Sequence, residues 1–262
     1  MLRKFGVLLR VTWSDALAYR AELFIWVLTG VLPLVMLAVW RTLAGEGGVG
    51  GYSGAEFVTY YVGALTIRQL AGVWIIWEME REIRLGELSA HLLRPAHPLL
   101  RYLALALSDK PLRLAMMAPI WAIALLLEPA AAPHPDPLSL AALPLAILLA
   151  FLIYFFNQCC IGLLSFWWTQ VLAVQDFWFG LYSLGSGYLV PLDLLPAPVT
   201  EVLNLLPFRF MLGFPVDLLL GRLDEAAIGQ GLLLQFGWCA VLFGLMLLMW
   251  RRGLRRYSAV GA

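Results

Sequence analysis

The chain has 262 residues, of which 62% are hydrophobic and only 13% are charged, and its mean hydropathy is +0.83. These values exclude an ordinary soluble domain and are typical of a protein that crosses a membrane several times. The net charge of +1 is uninformative as a total, because the distribution of Lys and Arg along the chain carries the information. As partners we expect the lipid bilayer and no nucleic acid.

Cysteine and histidine indicate neither a disulfide framework nor a metal site. The cysteines lie in apolar runs, where we expect them to be small core residues. The histidines share no spacing typical of metal ligands, so we expect no bound metal. The residues concerned are Cys159, Cys160, Cys239, His91, His97 and His134.

The first predicted element is a helix over residues 1–20 that lies in the membrane interface. Apolar residues such as Leu9 and Trp13 share one helical face, and basic residues lie on the other. The segment is too charged to span a membrane. A cleaved signal peptide is the second interpretation, although Arg10 and Asp15 interrupt its hydrophobic region.

Six apolar runs follow, and they predict six spans of an all-α integral membrane protein. The third helix is expected to begin near Asp109, with Lys110 and Arg113 reaching back to the membrane surface. Asp176 is expected to cap the fifth helix. The predicted spans are residues 23–40, 57–77, 109–127, 138–165, 177–195 and 231–250, with a Gly-rich turn at 45–54, a Pro-rich break at 128–137 and a polar turn at 169–176.

The basic residues indicate which side of the membrane the termini occupy. Six spans put both termini on the same side, and 14 of the 18 Lys and Arg residues lie in residues 1–20, 81–113 and 251–256, which share that side. By the positive-inside rule these segments face the cytosol. We therefore predict a single transmembrane domain over residues 1–262 with both termini inside.

Residues 78–101, called here the charged segment, lie between the second and third spans. Acidic and basic residues three or four positions apart alternate with leucines at helical spacing. This pattern predicts a short amphipathic helix that Gly86 loosens in its middle and Pro95 ends. Such a segment on the cytosolic side offers a surface to another protein, and a solvated loop is the second interpretation.

Residues 187–221, called here the outer segment, are apolar but contain prolines that prevent a continuous span. Irregular backbone at membrane depth is tolerated when protein buries it, so we predict two short helices, residues 199–206 and 209–220, that dip in from the outer face. Pro198 is expected in the first turn of one of them. A lid lying flat on the outer leaflet is the alternative.

Arg68, Asn157 and Gln158 are polar residues inside predicted spans whose roles need separate consideration. Arg68 either faces a translocation path and meets an anionic group, or it pairs with a fixed partner among Asp176, Gln158 and Asn157. Asn157 and Gln158 either line the same path or form hydrogen bonds between packed helices. The sequence alone leaves both interpretations open.

The chain resembles the permease subunits of ABC-2 type ATP-binding-cassette transporters, and in particular a compact bacterial branch with six spans. The resemblance covers nearly the whole chain and depends on the order of its short motifs. These are Leu85-Gly86-Glu87-Leu88, Leu92-Leu93-Arg94-Pro95, Pro98-Leu99, Ser165-Phe166-Trp167, Gly187, Pro191-Leu192, Leu195-Pro196, Leu206-Pro207-Phe208, Phe214-Pro215 and Gly221.

The resemblance implies that the charged segment is a coupling helix that docks on an ATPase, and that the outer segment caps a path between two permeases. It implies two ATPase subunits, a second permease that is identical or paralogous, and a bacterial cytoplasmic membrane. The implied ATPase contacts are Glu82, Leu85, Glu87, Leu88, Leu92, Arg94 and Pro95, and the implied cap residues are Pro191, Pro196, Pro207, Phe208 and Pro215.

The chain carries no nucleotide-binding motif of its own. It contains no Gly-Lys pair, so a Walker A loop is absent from the sequence. We therefore expect no enzymatic activity and no cofactor here, with ATP bound by the partner ATPase and transport outward. The alternative is a secondary transporter driven by an ion gradient, although Arg68 has no counterpart in the other half of the chain.

Overall fold

The computed structural model describes residues 2–18, 32–45 and 47–257, and these residues fold almost entirely into helices. The first half of the first predicted span lies outside the described residues. The α-helices are α1 (Leu2–Ala18), α2 (Leu32–Ala44), α3 (Gly54–Ala71), α4 (Ile76–Arg84), α5 (Leu88–Leu92), α6 (Pro98–Ser108), α7 (Lys110–Leu127), α8 (Pro137–Leu163), α9 (Val171–Gly185), α10 (Ala197–Leu203), α11 (Pro207–Met211), α12 (Gly213–Leu220) and α13 (Glu225–Leu254).

Three helical stretches within the described residues are long and apolar enough to cross a membrane. They are Pro98–Leu127, Pro137–Phe166 and Glu225–Leu254, each of 30 residues. At 1.5 Å per residue, each is about 45 Å long, which exceeds a hydrocarbon core of about 30 Å. They contain the third, fourth and sixth predicted spans, and the chain is an all-α protein of the integral membrane type.

The second predicted span is shorter than expected, because the helix ends at Ala71 and residues 72–75 are not helical. Lys110 donates to the carbonyl oxygens of Gln69 and Gly72. It thereby supplies hydrogen bonds to backbone carbonyls at the end of α3, which have no partner within the helix. Arg113 donates to Gln69 Oε1 at 2.8 Å. Both cations therefore point into the protein, and the prediction that they reach back to the membrane surface is wrong.

The fifth helix begins and ends earlier than predicted. It starts at Val171 and stops at Gly185, so Asp176 lies inside it and does not cap it. Gly187 follows with a φ of +88°, a conformation that favours glycine. Tyr60 donates a hydrogen bond of 2.7 Å to the Gly187 carbonyl. This buried contact fixes the point at which the chain turns out of α9.

The outer segment contains short helices, as expected, but their bounds differ. Pro198 lies in the first turn of α10, which confirms that prediction. The second predicted helix is divided at Leu212 into α11 and α12. A turn of 3-10 helix at Leu192–Leu194 precedes them.

Helix α8 lies at the centre of the fold. It packs against α13 along most of its length and also against α3, α4, α9, α11 and α12. The N-terminal helix α1 packs on α6, where the hydroxyl of Thr12 lies 3.4 Å from the Ala104 carbonyl oxygen. The charged segment is thereby joined to the central helix, because α4 is one of its direct neighbours.

Candidate functional site

The charged segment contains parts of three helices instead of the single predicted helix. The first break falls at Gly86, where the sequence predicted a loosened helix. α4 ends at Arg84 and α5 begins at Leu88, and Gly86 between them has a φ of +79°. That left-handed conformation ends α4, as glycine commonly does after a helix. The last residue of the segment, Arg101, belongs to α6.

A buried ion pair holds α4 against α6. Glu82 accepts a hydrogen bond of 2.6 Å from Tyr102 and a second from Arg101, and the Nε2 atom of His91 lies 3.4 Å from its carboxylate. Burial alone would raise the pKa of Glu82, but the hydrogen bonds from Tyr102 and Arg101 outweigh it and hold the pKa below its usual value. Glu82 is therefore a charged internal anchor.

Two of the residues predicted to contact an ATPase are unavailable to a partner in this structure. Glu82 is buried in its ion pair, and Leu88 is completely buried. The amphipathic pattern placed both on the segment correctly, but it could not tell an inward side chain from an outward one. Neither side chain is exposed in this structure, so the predicted surface contact finds no support at these two positions.

The remaining predicted contacts are exposed, and together with Leu93 they are called here the docking patch. Leu93 is 89% exposed, Leu85 50% and Leu92 39%, while Glu87, Arg94 and Pro95 are also exposed. Exposed leucines close to charged side chains on an otherwise ordered helix pair are typical of a protein-binding surface. The implied ATPase contacts included every member of this patch except Leu93.

Contacts behind the docking patch connect it to the membrane helices. The backbone N–H of Ser89 donates to the Tyr257 hydroxyl at 3.2 Å, and the rings of His97 and Trp250 lie 5.2 Å apart. Met79 packs so closely on Gly162 of α8 that a Cβ atom there would lie 3.0 Å from the Met79 Cβ. Packed side chains therefore join the charged segment to α8 and to the end of α13.

Arg68 lies near the end of α3 among aromatic rings. Its guanidinium carbon lies 5.0 Å from the ring centroid of Tyr188, 5.4 Å from that of Trp74 and 6.0 Å from that of Phe179. Trp74 belongs to the nonhelical residues 72–75, so the break after α3 brings this ring to the cation. The sequence patterns did not predict this aromatic surround.

None of the partners predicted for Arg68 pairs with it. Asp176 is exposed on α9, and Gln158 instead donates a hydrogen bond of 3.0 Å to Gln175 of α9, a contact between packed helices. Asn157 Oδ1 is buried and makes no hydrogen bond with the described residues. Across residues 2–18, 32–45 and 47–257, Arg68 makes no ion pair, and its Nε is buried without an acceptor.

Aromatic rings offset a large part of the cost of this cation. Each cation–π contact contributes about 0.5–2 kcal/mol, and three rings lie within 6.0 Å of Arg68. A charge at membrane depth costs at least about 2.5–3.5 kcal/mol, so the two terms are similar in size. The buried Nε atom, which has no acceptor among the described residues, is the observation that favours a further contact at Arg68.

The outer segment is tied to α3 and to the Gly-rich turn. The hydroxyls of Tyr60 and Tyr61 donate to the carbonyls of Gly187 and Leu189, at 2.7 and 2.8 Å. Arg222 lies 3.5 Å above the ring of Tyr52. Of the predicted cap residues, Pro191 and Pro215 are buried, Pro207 and Phe208 are half-buried and Pro196 is exposed.

A metal centre finds no support among the residues that the structure describes. No group of three His, Cys, Asp or Glu side chains converges there.

The sequence family agrees with this arrangement. A family model described as "ABC-2 family transporter protein" matches residues 25–261, which is most of the chain. The protein therefore belongs to the ABC-2 transporter family, as a permease of the multi-pass membrane type. No curated protein matches the chain.

Proposed function

We propose that this permease has six spans with both termini in the cytosol and exports its cargo across a bacterial cytoplasmic membrane. It forms the path with a second permease, identical or paralogous, and two ATPase subunits drive it. ATP is bound by those subunits, and this chain binds no cofactor. The family and the positions of the basic residues support this proposal.

The docking patch is the observation on which the proposal mainly depends. It presents exposed leucines beside Glu87 and Arg94, and it is fixed from behind by the Glu82 anchor. In the proposed mechanism, closure of the ATPase pair pushes on the patch, and α4 passes the movement to α8. The outer segment closes the far end of the path, with Pro191 and Pro215 packed inside it.

Purification through an affinity tag on this chain tests the proposal. We expect an ATPase to copurify and cargo export to require ATP. Arg94→Glu should uncouple ATP hydrolysis from export, because it reverses a charge at the patch, while Arg94→Lys should retain coupling. A chain that purifies alone and transports in response to a pH or sodium gradient would contradict the proposal.

A further inference from the structure

The rings around Arg68 belong to a larger aromatic cluster, called here the Arg68 recess. Consecutive ring centroids lie 6.3 Å apart from Trp74 to Tyr154, 5.2 Å from Tyr154 to Trp178 and 5.4 Å from Trp178 to Tyr182. Parts of α3, α8 and α9 and the nonhelical residues 72–75 all contribute. The recess is thus built from several segments that are distant in sequence.

Several hydrogen-bond donors in the recess have no acceptor. Arg68 Nε, Tyr154 Oη and Trp178 Nε1 are all buried and unpaired within the described part of the chain. Arginine and tryptophan side chains can only donate, and most buried polar groups in proteins are paired.

Among the described residues Arg68 has no carboxylate partner, and unpaired donors lie in the same cluster. Such an arrangement is complementary to an oxyanion. The rings supply apolar surface next to these donors. The recess therefore offers contacts for a charged headgroup and for the start of an apolar tail.

We propose that the Arg68 recess binds the oxyanion headgroup, a phosphate or sulfate, of an anionic amphiphile. Arg68 neutralises the charge and Tyr154 and Trp178 donate to the oxygen atoms, while the aromatic rings cover the start of the tail. That this amphiphile is the exported cargo depends on the proposed function. Binding of the amphiphile in the recess does not depend on that function.

The experiment uses the full chain in nanodiscs of a neutral phospholipid, both alone and with its copurified ATPase. The probe is dodecyl phosphate, and its apparent Kd is taken from the concentration dependence of the thermal unfolding midpoint. Dodecyltrimethylammonium, with the same tail and the opposite charge, and inorganic phosphate are measured in parallel. A further arm includes phosphatidylglycerol in the nanodisc.

We expect Arg68→Gln to weaken binding of dodecyl phosphate about tenfold or more, because it removes a charge-assisted contact. Tyr154→Phe, which removes only a hydroxyl, should weaken it several-fold. Arg41→Gln removes an exposed arginine that pairs with Glu128 and should leave the Kd unchanged. Competition by phosphatidylglycerol would assign the recess to a membrane lipid, competition by inorganic phosphate to a free anion, and binding unaffected by either to a cargo amphiphile.

Equal binding by the wild type and both recess variants would overturn the inference, as would equal binding of the cationic amphiphile. If ATPase binding is intact while the wild type does not bind dodecyl phosphate, the inference fails and the proposed function stands. If no ATPase binds but dodecyl phosphate binding depends on Arg68, the proposed function fails and the recess stands.

Discussion

Replacing the exposed leucines of the docking patch one at a time gives a graded prediction. Leu93→Asp, Leu85→Asp and Leu92→Asp each remove an apolar side chain that we expect the ATPase to cover. The side chains differ in exposure, at 89%, 50% and 39% respectively. The more exposed the leucine in the free permease, the more area docking can bury.

The size of each effect follows from that exposure. Fully burying a leucine contributes about 1.5–3 kcal/mol. Covering Leu93 is then worth about 2 kcal/mol, or about 30-fold in affinity, and covering Leu85 is worth about 1 kcal/mol, or about fivefold. Replacing Leu92 should weaken ATPase binding slightly less than replacing Leu85. Aspartate adds a desolvation penalty, so these values are lower bounds.

The assay is a binding titration of the purified ATPase against the permease in nanodiscs. Leu205→Asp is the matched control, because Leu205 is 62% exposed but lies in the outer segment. Thermal unfolding of each variant should match the wild type, since these side chains contribute little to the folded chain.

An order in which Leu92→Asp weakens binding more than Leu93→Asp would refute this reasoning. So would a Leu205→Asp control that weakens binding as much as the patch variants. Either result would mean that the ATPase does not cover the docking patch.

The other predictions concern the contacts that fix the segment and the outer helices. Glu82→Gln should lower stability by about 1–3 kcal/mol, because it leaves the partly buried Arg101 with only the longer contact of 3.7 Å to Glu78. The folded pKa of Glu82 is depressed, so the stability it provides is present above its unfolded pKa of about 4.3 and is lost as the pH falls through the folded pKa. The free energy of unfolding, measured from pH 7 to pH 3, should therefore fall less steeply with pH in the variant than in the wild type. An equal dependence on pH in both would contradict the ion pair. Gly231→Ala should lower stability by about 1–3 kcal/mol, because its Cβ would overlap the Phe214 ring, whereas Gly229→Ala in the same helix meets open space and should be neutral or stabilising. Equal unfolding midpoints for the two glycine variants would show that α13 does not pack on α12 in this way.

The sequence predicted the long apolar helices and the position of the charged segment well. These features depend on composition and helical spacing, which act locally along the chain. Pro198 and Gly86 were also informative, because their backbone restrictions act at one position. The family resemblance added the order of the short motifs.

Features that depend on contacts between distant segments were not predictable in the same way. Lys110 looked like a surface residue because its neighbours in sequence are charged, yet it satisfies the end of α3. Glu82 looked exposed because it lies in a polar helix, yet Tyr102 and Arg101 bury it. Arg68 meets aromatic rings from three other segments, and no local pattern reveals that arrangement.

The central claim is that the docking patch faces the cytosol, where an ATPase binds it. Leu93→Cys is the most direct probe, because position 93 is highly exposed while the native cysteines Cys159, Cys160 and Cys239 are buried. In intact cells, a membrane-impermeant thiol reagent should leave this cysteine unmodified, and it should label it once the membrane is permeabilised. Labelling in intact cells would place the patch outside and contradict the account.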